Sequence, residues 1–556
     1  MFSTFHGLET AKRGMNTQQS ALYVTGQNIS NANTLGYSRQ RVNFEATKAF
    51  PTPAMNRPDI PGQMGTGVQA GSIQRIRESF LDIQYRGENN RLGYWNSKAE
   101  SLAKLEDIMN EPSDYGLAAT LSQFWQSLHD LSTNPENDGT RSVVLQRGES
   151  VAETFQYLSE SISGNKKDLG NEVGATIKNI NSILKRISDV NKQISDVEPH
   201  GYLPNDLYDE RDRLVDELSA FFDVKVEAKQ SGGKPSPIAE GIYDIKITNP
   251  NGQEVYIVQG SNYSPVEISG GTDSDGDGIL DQPPNTGFIT SISFAGTKVD
   301  FANDKGEIGL SQGKLRALIE NYGYQYDTVD KNNNPITVEK GIYPEMQDQL
   351  DKLAFTFGTL FNEVHTKGYD LNGKQGENFF LFDNMTDYKG AAKTIKVNSK
   401  ITNDMIAAAS ALGNNGNVEA GNGMNALNLA NVQGYNLLDG TVIQLHGFTN
   451  PVEIKIGASI GGVDLPFTTG TVTSNYQSII GKLGVEAQQA NKLTANTATL
   501  TQSIEEKRQS VSSVSIDEEF INMIKFQQAY NASARNITIV DEMLDKIING
   551  MGLGGR

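Results

Sequence analysis

Four aspartates in the middle of the chain have a spacing that suits a bound metal ion. The four are Asp273, Asp275, Asp277 and Asp281. They occupy positions 1, 3, 5 and 9 of a polar loop with Gly278 at position 6, and such alternation lets hard carboxylate oxygens converge on calcium while the glycine permits a sharp bend. Position 12 is Pro284, where a calcium loop normally has a bidentate acid. The loop is therefore predicted either to bind calcium or to be a solvated acidic segment.

A second pattern, Gly-Leu-Ser-Gln-Gly at residues 309–313, matches the G-x-S-x-G turn that presents the nucleophilic serine of some hydrolases. That turn follows a buried strand, and a later histidine completes the site, for which His365 and His446 are available. Residues 304–307 are Asp-Lys-Gly-Glu, which do not predict a buried strand. We therefore interpret the glycines as a turn into a helix at Lys314, and we predict no enzyme activity and no catalytic residue.

Ligands for transition metals are scarce in this chain. It contains five histidines and no cysteine, and the histidines have neither H-E-x-x-H nor H-x-H spacing. Zinc sites need three or four such ligands brought together. No required cofactor is predicted, and calcium at the aspartate loop is the one candidate.

The composition excludes several classes of function. The 556 residues carry 48 Lys and Arg against 67 Asp and Glu, and the resulting net charge of −19 repels nucleic-acid phosphates. The absence of cysteine excludes disulfides and thiol chemistry. The sequence has no apolar run of about 18 residues, which a membrane span would need. Residues 1–33 lack the apolar core of a Sec signal peptide. We expect neither nucleic acid nor a membrane as a partner.

Both ends of the chain carry an apolar residue at every seventh position. Apolar positions that recur about every 3.5 residues keep one seam of a helix against a partner, which is typical of coiled coils. Ser515 and Glu518 have capping-box spacing, which predicts where the last helix begins. We expect the two stripes to pair with each other or with neighbouring copies. The predicted assembly residues in these stripes are Leu8, Met15, Leu22 and Ile29, then Ile516, Phe520, Met523, Tyr530, Ile537 and Leu544.

The order of periodic patterns predicts an α+β fold that is elongated and multidomain. Helical periodicity resumes near Ile73, persists to about Phe222 and returns later, and short alternating segments between these stretches predict strands. Terminal coiled-coil helices and a helical rod formed by both chain ends would then carry inserted β-rich domains. The predicted strands include residues 241–247, 254–258, 287–294, 441–448, 452–456 and 463–468. The predicted domains are a terminal helix and extended arm at 1–70 pairing with 510–556, a helical rod at 71–222, 309–435 and 475–509, a β-rich domain at 223–308, and a second β-rich segment at 436–474.

Several long motifs resemble those of one protein family. Residues 28–40, Asn-Ile-Ser-Asn-Ala-Asn-Thr-Leu-Gly-Tyr-Ser-Arg-Gln, are similar to the N-terminal motif of bacterial flagellar rod, hook and hook-associated axial proteins. Residues 65–68, 73–76 and 80–81 resemble the next block of that family. Three further segments resemble the hook-associated protein 1 (FlgK) type within it. These are residues 205–215, residues 365–373 with 379–380, and residues 517–520 continuing through 526–530.

This resemblance implies a structural protein of the flagellum that forms a ring between hook and filament. It implies as partners other copies of the chain, the hook protein, the second junction hook-associated protein and through it the flagellin filament, and a cytoplasmic export chaperone at the C-terminal helix. It also implies an extracellular location reached through the flagellar type III apparatus without a cleaved signal. The terminal helices would be disordered before assembly, which makes their ordering depend on a docking site.

Two residues of the first motif, Tyr37 and Arg39, are predicted either to contact neighbouring subunits or to anchor the turn after the first helix. Two other functions stay open at this point. One is a hook or distal-rod subunit of the same family. The other is a surface adhesin stabilised by calcium, which the aspartate loop and the inserted β-rich domains would support.

Overall fold

Long helices dominate the computed structural model of this chain. It describes residues 5–55, 62–109, 113, 116–249, 252–268, 287–294, 296–303, 305–330, 333–413, 416–419, 421–456, 460 and 463–550. The helices are α1 Phe5–Ser30, α2 Ser79–Met109, α3 Leu117–Thr133, α4 Asp138–Val197, α5 Asn205–Ser219, α6 Lys314–Tyr322, α7 Ile342–His365, α8 Ala391–Thr394, α9 Met424–Ala430, α10 Val472–Ser512 and α11 Ile516–Asp545.

The strands are short and form small antiparallel sheets. They are β1 Gln40–Ala46, β2 Val68–Arg75, β3 Lys225–Lys229, β4 Ile242–Thr248, β5 Glu254–Gln259, β6 Asn262–Tyr263, β7 Val266–Ile268, β8 Ser291–Phe294, β9 Thr297–Asp300, β10 Tyr324–Val329, β11 Pro335–Lys340, β12 Phe380–Leu381, β13 Lys396–Val397, β14 Val442–Leu445 and β15 Val452–Lys455. One sheet has the order β3-β4-β5-β6 and another β7-β8-β9, while the remaining strands form two-stranded pairs. The predicted α+β, elongated fold class is confirmed.

Helix α4 is the longest element and connects the other parts of the helical region. Its 60 residues span about 90 Å at the usual helical rise. Asn137 caps its first turn by accepting hydrogen bonds from the amides of Gly139 and Thr140 at 2.8 and 3.3 Å. Further along, the Asn181 side chain donates to Val266 O at 3.0 Å, which ties β7 to the helix. The long helix thereby holds both helices and strands in position.

A cluster of aromatic rings forms the centre of the helical core. The Phe124 ring of α3 lies 5.3 Å from that of Phe361 on α7, between ring centroids. Phe379 lies 5.1 Å from Phe361, and Phe380 lies 4.9 Å from Phe357. Tilted and edge-on pairs of this kind add about 0.5–1.5 kcal/mol each to the energy of burial. The adjacent phenylalanines 379 and 380 of the sequence motif are therefore packing residues.

The two ends of the chain meet. Helix α1 packs against α11, and β1 pairs with β2 in a register that places Gln40 opposite Arg75. Ala21, Val24 and Val42 form a small apolar core between these elements, separate from the main core. The extended arm that was predicted after the first helix thus contains a pair of strands that covers α1.

Two local predictions were wrong. Helical periodicity was predicted to resume near Ile73, but residues up to Arg75 belong to β2 and the helix begins at Ser79. The apolar side chain of Ile73 is partly buried in this strand, because it packs on the small apolar core beside α1. A strand was predicted at 463–468, where the structure has only an isolated bridge between Val463 and Ile460 among the described residues. The described part of the chain contains no helix long and apolar enough to cross a membrane.

Candidate assembly interface

Helices α1 and α11 form an antiparallel pair whose backbones approach closely. A Cβ atom placed on Gly7 would lie 3.6 Å from Val540 Cγ2, and one placed on Gly14 would lie 3.1 Å from Ser533 Oγ. At the other end of the pair, Asn28 Nδ2 lies 3.1 Å from Glu519 Oε2. Later residues of α1 therefore contact earlier residues of α11, so the two helices run antiparallel. The small residues let the helices approach with little side-chain volume between them.

The predicted seam residues flank this contact. In α1 the buried positions are Ala11, Thr17, Ala21, Val24, Thr25 and Asn28. Leu8, Met15, Leu22 and Ile29 are half-buried beside them. In α11 the half-buried positions include Met523, Tyr530, Ile537 and Leu544, while Ile516 and Phe520 are exposed. The structure brings both stripes to one helix pair, and their large side chains lie at its edges.

Much of the apolar surface of α11 has no partner within the described chain. Ile521, Ile524 and Met543 are 66 %, 56 % and 56 % exposed. Phe5 of α1 is exposed as well. Single exposed apolar residues are common on protein surfaces, but several on one helix of a two-helix pair mark an interaction surface. The pair buries one side of each helix and leaves the rest of α11 open.

Tyr37 and Arg39 make contacts within the chain. The Tyr37 hydroxyl donates to Asn28 Oδ1 at 2.9 Å, and Arg39 Nε donates to Glu519 Oε1 at 2.8 Å. Burial, with nearby carboxylates adding to it, raises the pKa of Tyr37 well above its usual value, so its hydroxyl stays protonated and donates. We call Asn28, Tyr37, Arg39 and Glu519 the terminal polar cluster. It joins the turn after α1 to the first turn of α11.

The start of α11 follows the predicted cap only in part. Ser515 Oγ accepts a hydrogen bond from the Glu518 amide at 3.5 Å, as an N-cap residue does. The Glu518 carboxylate does not complete a capping box here, because it accepts from Arg39 Nη1 at 2.8 Å. The glutamate that was predicted to cap the helix therefore helps to connect the two chain ends.

A buried network of charges lies beside the terminal arms and was not foreseen from the sequence. We call it the charge cluster. Its members are Arg75, Arg77, Arg86, Arg211 and Arg508 with Asp82, Asp209, Asp212, Asp216 and Glu240. Arg75 Nη1 lies 2.8 Å from Asp209 Oδ1, and its Nη2 lies 2.5 Å from Asp212 Oδ2. Arg508 Nε also lies 3.2 Å from the partly exposed Glu505 Oε2, so the five arginines of the cluster face six carboxylates.

Helix α5 supplies the central carboxylates of this cluster. Asp209, Asp212 and Asp216 are three and four residues apart, which places them on one face of the helix. Burial alone would raise the pKa of Asp212, but the surrounding arginines outweigh it and hold that pKa well below its usual range. The Ser38 amide also donates to Asp209 Oδ2 at 2.9 Å, so the cluster contacts the motif that follows α1. Acids at this helical spacing were the sequence signal for the network.

The turn at residues 309–313 has a packing role, in agreement with its interpretation as a turn into a helix. A Cβ atom on Gly313 would lie 2.1 Å from Phe221 O, so only glycine allows this close approach. Ser311 Oγ accepts a hydrogen bond from the Asp223 amide at 3.1 Å. His365 is fully buried, with Nδ1 2.6 Å from Glu377 O and Nε2 3.0 Å from the Ala407 amide. Burial lowers the pKa of His365 to about 4, and both ring nitrogens are occupied in holding backbone segments together.

The candidate calcium ligands Asp273, Asp275, Asp277 and Asp281 lie outside the described residues. Within the residues that the structure describes, no group of three or more His, Asp or Glu side chains is placed to hold a metal ion. The aspartate loop thus stays a prediction.

Family profiles match three parts of the chain. The one described as "Flagellar hook-associated protein FlgK helical domain" matches residues 102–380. The one described as "Flagellar basal body rod FlgEFG protein C-terminal" matches residues 506–550, and "Flagella basal body rod protein" matches residues 8–37. The first covers half of the chain, and the other two cover the terminal helices.

Known proteins are similar over the whole length. Flagellar hook-associated protein 1 of Bacillus subtilis (strain 168) is 43 % identical over 559 residues, which cover 100 % of both chains. The protein of that name from Salmonella typhimurium (strain LT2) is 24 % identical, covering 97 % of this chain and 98 % of that one. The solved structure of the flagellar hook junction protein FlgK from Burkholderia pseudomallei has a similar fold, with a TM-score of 0.51 at 15 % identity over 77 % of this chain and 100 % of that chain. Full-length similarity at this level establishes that the chain belongs to the flagellar hook-associated protein 1 family.

Proposed function

We propose that this chain is a structural subunit of the bacterial flagellum, copies of which form a ring that joins the hook to the filament. The proposal is supported by its full-length relatives named flagellar hook-associated protein 1 and by the fold shared with a protein named a flagellar hook junction protein. The structural observation that carries it is the open apolar face of α11, because such a surface needs a protein neighbour. We propose no catalytic role.

The thin α1–α11 pair gives a physical reason for assembly. Isolated helices gain little from intrinsic propensity and need packing to persist. Two helices in contact bury one side each, and neighbouring copies of the pair would cover the remaining apolar side chains, including Ile521, Ile524 and Met543. Ordering of the chain ends would then be completed in the ring, and the entropy cost of ordering would be met at that step.

The proposed partners are other copies of this chain, the flagellar hook protein on one side and the second junction hook-associated protein, followed by the flagellin filament, on the other. An export chaperone would cover the C-terminal helix in the cytoplasm. We further propose an extracellular location, reached through the flagellar type III apparatus without a cleaved signal. The absence of cysteine agrees with a chain that must remain free of disulfides until it is exported.

A hook or distal-rod subunit is the alternative within the flagellum. The rod profiles match only residues 8–37 and 506–550, and the similar rod protein FlgG of Caulobacter vibrioides covers 15 % of this chain. Terminal helices shared by several axial proteins do not favour the rod over the junction. A calcium-stabilised adhesin has no support beyond the aspartate loop and the inserted β-rich domains.

Deletion of the gene tests the proposal directly. Cells that lack a hook–filament junction should build complete hooks without filaments and lose flagellin to the medium, as seen by electron microscopy and immunoblotting. Missing hooks would favour a rod or hook subunit. Intact filaments on motile cells would contradict both flagellar roles.

A point variant tests the surface that carries the proposal. Ile524→Asp introduces a charge into the open face of α11, and burying that charge against a neighbour would block incorporation into the flagellum. Ser163→Asp adds the same charge at an exposed polar position of α4, outside the terminal helices, and is the matched control. Equal motility and equal flagellar incorporation of the two variants would contradict the assembly role of this face.

A further inference from the structure

The α1–α11 pair has a repeat that leaves its alignment ambiguous. Gly7 and Gly14 lie seven residues apart, and so do their contacts Val540 and Ser533 on α11. The flanking apolar residues of both helices also recur at every seventh position. A shift of one helix by seven residues would therefore replace each apolar contact by a similar one. Packing along the seam selects poorly between these registers.

One feature of the seam does not repeat. Glu519 is the only buried residue among the described side chains of α11, with 2 % of its surface exposed. Its two carboxylate oxygens accept from Asn28 Nδ2 at 3.1 Å and from Arg39 Nε at 2.8 Å. Asn28 is buried too, and its Oδ1 accepts from the Tyr37 hydroxyl and from the Gln40 amide, at 2.9 and 3.0 Å. The carboxylate is thus satisfied only in the observed register.

Shifted registers would separate these groups from their present partners. Moving α11 by seven residues in one direction brings Ser533 opposite Gly7 and moves Glu519 from Asn28 to a position opposite Ala21. The buried polar neighbours there are the hydroxyls of Thr17 and Thr25, in place of the amide and guanidinium donors of the observed register. Moving it in the other direction brings Val540 opposite Gly14 and an apolar Phe526 opposite Asn28. Either shift buries a charge or an amide without its hydrogen bonds, which is costly in a low-dielectric interior.

We propose that the terminal polar cluster sets the register of the two terminal helices, with Glu519 as the residue that specifies it. A single buried polar contact in an otherwise apolar helix seam is a well-established way of fixing alignment. The proposal concerns contacts within one chain and goes beyond the junction role. It predicts that burial of the apolar stripes holds the two helices together and that the terminal polar cluster selects which residues lie opposite each other. Loss of hydrogen bonds to the charged group should change the preference between registers by about 10- to 100-fold.

Disulfide trapping in the full-length protein can measure the register, because the chain contains no cysteine. An ideal Cβ on Gly14 lies 3.8 Å from Ser533 Cβ, which is the usual separation across a disulfide. The double variant Gly14→Cys/Ser533→Cys reports the observed register. Gly7→Cys/Ser533→Cys reports the register shifted by seven residues. Each pair is oxidised with copper phenanthroline, and the crosslinked fraction is determined by electrophoresis and peptide mass spectrometry.

With Glu519 present, the observed-register pair should crosslink at least about tenfold more than the shifted pair. Adding Glu519→Leu should bring the two yields within about twofold of each other. Glu518→Leu is the matched control, because Glu518 is an exposed neighbour that also pairs with Arg39, and it should keep the parental ratio. Circular dichroism establishes that each variant keeps its helix content.

Three results would overturn the proposal. They are comparable crosslinking of both pairs in the parent, an unchanged ratio in the Glu519→Leu variant, and failure of the observed-register pair to crosslink in the parent. An effect of Glu518→Leu equal to that of Glu519→Leu would transfer the role to the exposed ion pair.

Discussion

Replacement of Asp212 by asparagine tests how the charge cluster stabilises the region where the terminal arms join the helical core. The Asp212 side chain is 2 % exposed, and its oxygens lie 2.5 Å from Arg75, 3.2 Å from Arg86 and 3.6 Å from Arg77. Asparagine keeps the size of the side chain and removes one negative charge. Arg75, Arg86 and Arg77 would then lose a buried carboxylate partner, and the positive charge around position 212 would be only partly compensated.

The expected loss follows from this imbalance. Removing one partner of a buried ion pair costs about 3–5 kcal/mol, because the remaining charge stays in a low-dielectric site. With a urea m-value of about 2–3 kcal/mol/M, the unfolding midpoint should fall by about 1–2.5 M. The folded-state pKa of Asp212 lies below its unfolded value, so its contribution is fully present above about pH 4 and is lost only in stronger acid.

Urea unfolding followed by the fluorescence of the two tryptophans, Trp95 and Trp125, is a suitable assay. Glu210→Gln is the matched control on the same helix, since its carboxylate pairs with Arg213 and Arg186 near the surface and should cost less than about 1 kcal/mol. If Asp212→Asn moved the midpoint no further than Glu210→Gln, the cluster would be compensated by solvent or by rearrangement, and its assigned role would be refuted.

Three further predictions concern single residues. The folded-state pKa of His365 is about 4 and the unfolded value is about 6.5, so the unfolded chain binds a proton first as the pH falls. The free energy of unfolding should therefore decrease by up to about 3 kcal/mol between pH 6.5 and 4. Urea unfolding of His365→Gln should lack this pH dependence, and an unchanged pH dependence would contradict the assignment. Gly313→Ala should lower the free energy of unfolding, measured by thermal melts, by about 1–3 kcal/mol because its methyl group would meet Phe221 O. Gly164 lies on a helix in open space, so Gly164→Ala should raise the free energy of unfolding by up to about 1 kcal/mol in the same assay. If the aspartate loop binds calcium, EDTA should lower the melting temperature of the wild type but not of Asp275→Ala, and an unaffected wild type would remove calcium from the account.

Sequence reasoning located the elements better than the side chains that form their contacts. The glycine turn at 309–313 predicted a helix that begins at Lys314, and the structure has α6 at Lys314–Tyr322. The seven-residue stripes predicted that the chain ends pair, but the centre of that contact is formed by small residues such as Ala11 and Ala21. A search for large apolar residues overlooks them, because close helix approach selects for small volume and not for hydrophobicity.

The charge cluster was beyond the reach of local patterns. Charged residues are normally exposed, so Arg75, Arg86 and Arg508 carry no sign of burial in their own surroundings. Their partners come from α5, far away in sequence, and only the fold brings them together. The run of aspartates on one face of α5 was visible, but its purpose depends on cations whose positions the sequence does not reveal. Likewise, a contact role was predicted for Arg39 but not for Glu519, and their mutual contact was not foreseen.

The meeting of the first and last helices has a consequence for the time at which the chain can fold. Asn28 and Glu519 are separated by 491 positions, so their contact closes a loop that contains nearly the whole polypeptide. Closing such loops is slow relative to local helix formation, and a ribosome adds only about 5–20 residues per second. The N-terminal helix must therefore wait tens of seconds for its partner to be synthesised. During that interval the chain end stays unpaired and accessible, and native pairing of the two ends is among the last events of folding.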